Sequence, residues 1–106
     1  MLVYWVIDTK VKVLPESTLT LDGSEYYYTR SVAPSETKES AVMNLTSLLE
    51  EKSIVIAEVL SISDYESKIW NSEQDEDFET IESFEKSRAT GQISIGCVVS
   101  ELSMED

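Results

Sequence analysis

The chain has 106 residues, 42% of them hydrophobic, with 21 acidic and 8 basic side chains, no histidine and one cysteine. A net charge of −13 repels nucleic acid and anionic membranes and attracts basic surfaces. The missing imidazole removes the commonest acid–base catalyst and metal ligand, and a lone thiol excludes an internal disulfide.

This length and apolar content suit a single compact domain over residues 1–102, followed by an acidic tail at 103–106. The opening apolar run, residues 2–7, is too short for a bilayer span or a secretory signal, so the expected location is cytoplasmic. Along residues 3–13, Val3, Trp5, Ile7, Val11 and Val13 share one parity while Asp8, Lys10 and Lys12 share the other, which predicts a long strand ending at Pro15. Leu2, Tyr4 and Val6 make its early part apolar on both parities, so cover is expected on both sides there, or a subunit contact.

Asp22-Gly23 suits a type I′ turn between strands at residues 18–21 and 25–32. Pro34 and Ser35 mark a boundary, with Ser35 as the expected helix cap. From there to about residue 51, Ala41, Val42, Leu45, Leu48 and Leu49 repeat at three and four and predict an amphipathic helix. Residues 54–63 read as a strand covered on both faces, with Glu58 the exception near an edge or end. A second helix is expected from about residue 71 or 72 to before Gly91, burying Phe78, Ile81 and Phe84. Residues 92–100 read as the last strand, with Ile93, Ile95, Cys97 and Val99 inward.

This order predicts an α+β fold: a two-layer sandwich with a mixed or antiparallel sheet of four to five strands and two helices on one face. The open sheet face would then carry part of the run Tyr26, Tyr27, Tyr28.

No catalytic constellation stands out. Without histidine there is no Ser-His-Asp or Cys-His arrangement, and three glycines form no phosphate-cradling loop. Cys97, among β-branched neighbours, reads as a structural thiol. Asp75, Asp77 and Glu79 begin like a calcium loop, but Thr80 stands where that loop needs glycine and Lys86 where it needs a bidentate carboxylate. The chain is therefore expected not to be an enzyme and to use no cofactor or metal.

The charge is concentrated late. Residues 64–85 carry nine acids against Lys68, a net of −8. Solvation alone explains many such runs. The functional reading is a small acidic protein-binding module, an inhibitor or immunity-like neutralising partner that covers a basic surface, such as one that binds nucleic acid. Its expected contacts are Asp64, Tyr65, Glu66, Trp70, Glu73, Asp75, Glu76, Asp77, Glu79 and Glu82, with Tyr65 and Trp70 read equally as aromatic anchors or as rings packed down on the domain. The expected partner is a basic protein, with no direct nucleic-acid or membrane binding. The alternative is a homo-oligomeric assembly domain without catalysis, a homodimer for instance, pairing through the first strand or through Tyr26, Tyr27 and Tyr28.

Overall fold

Period-two alternation over the opening residues produces β1 (Val3–Val13) in the computed structural model, which describes residues 2–14, 26–67, 69–71 and 73–100. The side chains of Asp75, Glu76 and residues 97–100 lie outside that description. So do the expected Asp22-Gly23 turn and the acidic tail. After β1 come β2 (Tyr27–Ser35), α1 (Lys38–Glu51), β3 (Ile54–Asp64), a 3-10 turn at Tyr65–Ser67, α2 (Asp75–Thr90) and β4 (Ser94–Ser100). The strands form one antiparallel sheet in the order β3-β1-β2-β4. The α+β sandwich expected from the sequence is thus present, with a four-stranded antiparallel sheet and two helices among the described residues.

Where the helices sit differs from expectation. Rungs between β1 and β2 run without a shift from Val3↔Ser35 to Val11↔Tyr27, so odd residues of both strands share one face and even residues the other. On the odd face, Ile7, Val11, Val13, Tyr27 and Ala33 form a core with Ala41, Leu45 and Leu49 of α1 and Ile54 of β3. On the even face, Tyr4 meets the ring of Phe84 edge-on at 5.0 Å, and Arg30 donates to Thr80 of α2 at 3.2 Å. The two helices therefore cover opposite faces, which corrects the single helical face. The reason lies in β1 and β2 themselves: Val6 and Val32, both even, are 2% and 0% exposed and need cover as much as Ile7 and Ala33 do.

Each helix covers half of its face. α1 packs over β3, β1 and β2, whereas α2 packs over β2 and β4. The cap of α1 is Thr37 rather than Ser35: its hydroxyl accepts from the Ser40 amide at 3.1 Å. Ser35 instead ends β2, which runs on through Pro34, paired with Tyr4. β4 reaches only as far as Val32, so the donorless proline lies where β2 has a free side. β3 turns out to be an edge strand covered on one face, leaving Val55 and Leu60 exposed, and Glu58 is exposed on it as expected.

Gly96 is dictated by a close approach. A β-carbon there would sit 2.6 Å from the Arg30 carbonyl oxygen, at the place where the β2–β4 register shifts. Gly91 closes α2 in the left-handed conformation, with its amide donating to the Ser87 carbonyl at 2.8 Å.

Candidate docking surface

Acidic residues in the connection before α2 hold its backbone as well as carrying charge. Asp64 ends β3, and its Oδ1 accepts from the Glu66 amide at 2.9 Å while its carbonyl accepts from the Ser67 hydroxyl at 2.7 Å. Asp77 accepts from the Asn71 amide at 2.9 Å, which ties the connection to the start of α2. The Asn71 side chain in turn accepts from the Glu73 amide at 3.0 Å. Asp64 and Asp77 are half-buried and structurally engaged; Glu66, Glu73, Glu79 and Glu82 are exposed. Asp75 and Glu76 fall at the start of α2, and their side chains lie outside the described residues.

Tyr65 and Trp70 are brought together as an inward cluster. The Tyr65 ring stacks on Phe84 at 3.8 Å and on Trp70 at 5.5 Å, and the Trp70 indole donates to the Tyr65 carbonyl at 2.8 Å. The Arg30 guanidinium lies 5.7 Å from the Trp70 ring centre. Burial, and after it the neighbouring Glu85 carboxylate, hold the Tyr65 phenol above its ordinary value of 10.0. Both rings are half-buried supports under α2.

The exposed apolar residues in this region are others. Ile69 is fully exposed, and Phe78, expected inward, is 47% exposed. Spacing by threes misled the reading of Phe78, because successive steps of three drift around a helix by about 60° each. Ile81 and Phe84 stay on the sheet side with Thr80 and Ser87, whereas Phe78 has rotated outward. There it shares one stripe with Glu82 and Glu85, at spacings of four and three. The buried small hydroxyl residues Thr80 and Ser87, 2% and 0% exposed, were the signal for the true inner face.

Among the described residues, no lysine or arginine pairs with Glu66, Glu73, Glu79, Glu82 or Glu85; the ion pair between described side chains is Asp8 with Arg30. Lys68, the one base in the acidic segment, lies outside the described residues. The outer side of α2 is therefore rich in acid, with the Phe78 ring set into it and Lys86 one turn after Glu82.

The tyrosine run divides by parity. Tyr27 is 5% exposed in the core under α1, while Tyr26 and Tyr28 are half-buried, with the Lys10 ammonium 4.3 Å from the Tyr26 ring centre. β1 lies between β3 and β2, so the first strand offers no free edge for pairing with a copy. Among the described residues, no group of acidic or cysteine side chains is placed to hold a metal ion, and no helix is long and apolar enough to cross a membrane. Compared with family models, curated proteins and solved structures, the chain matches none.

Proposed function

We propose that the chain is a small acidic protein-binding module that docks the outer face of α2 on a basic surface of a partner protein, as an inhibitor or neutralising partner does. The observation that carries this reading is the stripe of Phe78, Glu82 and Glu85, with the large ring left 47% exposed among carboxylates that form no ion pair with another described side chain. Such a face combines the two parts of an efficient contact. Unpaired charge steers encounter and selects partners of opposite sign, and a rigid ring supplies area that persists once contact is made. Tyr65 and Trp70 support the reading differently from the way their residue types suggest, by fixing the helix that presents this face.

The test separates those parts. With the partner isolated from the source cell, Glu82→Gln with Glu85→Gln should slow association at low salt and have little effect at high salt, because only the steering changes. Phe78→Ala should leave the association rate nearly intact and speed dissociation by about tenfold or more. A partner surface that ordinarily holds nucleic acid would show competition between nucleic acid and this chain. Association that ignores both salt and the paired substitution would defeat the docking reading.

A further inference from the structure

The two edges of the sheet are protected unequally. β3 carries Glu58 and Asp64 and has register irregularities at two places along its rungs with β1. Charge and bulges of this kind are how natural edge strands avoid pairing with other chains. β4, the opposite edge, has one irregularity, and from Ala89 to Ser100 the sequence holds no charged residue at all. In a chain of net charge −13, an edge strand without charge removes one source of repulsion toward a second copy.

α2 lies over β2 and β4, and its residues sort by which strand they overlie. Phe84 marks the side toward β1 through Tyr4, and Thr80 lies over Arg30 of β2. Ser83 marks the other side, with its hydroxyl 3.8 Å from a β-carbon built on Gly96 of β4. Glu79 and Lys86 stand four residues before Ser83 and three after it, so they share its stripe along the helix. Both are exposed, and Lys86 lines an open groove with Gln92, Ile93 and Ser94 at the start of β4 and with Glu51 and Lys52 of α1 in the other layer, which puts it on the β4 side of α2. Read along the helix, the edge-side stripe is acid, small, base.

We propose that two copies of the chain pair antiparallel through β4 about a two-fold axis, which joins their sheets into one of eight strands and sets α2 against its copy. Strands in a sheet are about 4.8 Å apart, so a helix seated over β2 and β4 would lie about 10 Å from its two-fold mate, an ordinary helix packing distance. The stripe is complementary to itself in that arrangement. Glu79 meets the copy's Lys86, Lys86 meets the copy's Glu79, and Ser83 at the centre is small enough for the helices to close. Phe78, Glu82 and Glu85 point away from β4, so the pair would present two docking faces; dimer and docking face can each fail alone.

Sedimentation equilibrium from micromolar to millimolar protein tests this directly. The natural chain should show a reversible monomer–dimer equilibrium. Glu79→Lys and Lys86→Glu should each weaken it by about tenfold, since two attractive contacts become repulsive in either case. Glu79→Lys with Lys86→Glu together should restore it, with composition and net charge unchanged. Glu79→Lys is the sharper single variant, because it lowers the overall repulsion and on net charge alone would favour association. Amide exchange should slow in β4, and not in β3, as concentration rises, while circular dichroism confirms that each variant is folded. A natural chain that stays monomeric, a double variant that fails to recover, or protection that appears on β3 would overturn the proposal.

Discussion

Asp8 and Arg30 stand opposite each other on the β1–β2 ladder, and their side chains meet in a two-pronged pair: Arg30 Nε to Asp8 Oδ1 at 2.6 Å, and Nη2 to Oδ2 at 3.1 Å. The same guanidinium reaches Thr80 at 3.2 Å, and Asp8 also accepts from the Ser61 hydroxyl at 2.9 Å. One ion pair thus joins β1, β2, β3 and α2, and it holds a cation beneath the sheet-facing side of α2.

Because the pair is about two-thirds buried, with side chains 31% and 28% exposed, it should be worth more than a surface contact. A double-mutant cycle of Asp8→Ala and Arg30→Ala, read by chemical denaturation, should give a coupling energy of about 1 to 2 kcal/mol. Single costs that simply add would mean that the network contributes no more than its separate residues.

Leu45 is fully buried at the centre of the α1 contact with the odd face. Replacing it by alanine removes apolar area and leaves a cavity, with an expected loss of about 2 to 5 kcal/mol in denaturant. Met43 is 69% exposed on the same helix, and Met43→Ala should change stability by no more than about 0.5 kcal/mol.

Ser31 behaves oppositely to Ser87. It is fully buried, paired with Ile7 and Ile95 across the sheet, and its hydroxyl has no hydrogen-bond partner among the described residues. Ser31→Ala should therefore stabilise the fold by about 1 kcal/mol, since an unpaired buried group is removed at almost no loss of volume. Ser87, equally buried but donating to the Gln92 carbonyl at 2.7 Å, should be destabilised by the same change. Equal effects at the two sites would contradict this account.

Tyr65 gives the alkaline limb of stability its sign. Its folded value is raised, so the folded chain holds the phenolic proton more tightly than the unfolded chain does. The resulting stabilisation is fully present below the unfolded value of 10.0 and is lost as pH rises through the folded value. Tyr65→Phe keeps the ring stack without the titration. Thermal unfolding of the two proteins at neutral pH and above pH 10 should show the natural chain losing ground to the variant only in the alkaline range.

The sequence by itself determined the elements and the charge. Period two in residues 3–13 and the apolar stripe of Ala41, Leu45 and Leu49 are local patterns, and β1 and α1 appear where those patterns stand. Concentrated acid over residues 64–85 was equally plain, because charge needs no fold to be counted. Which side each residue takes was decided by tertiary structure. β3 reads like a covered strand yet lies at an edge, because nothing in a strand's own sequence names its neighbours. The sequence left Tyr65 and Trp70 open between anchors and packed rings, and they stack beneath α2, whereas Phe78 looks like core and is 47% exposed. The helix face that turns inward is chosen by the surface it must fit. Here that surface is the even side of β1 and β2, where Thr80 meets Arg30 and Phe84 meets Tyr4, and rotating α2 to satisfy both leaves Phe78 in solvent.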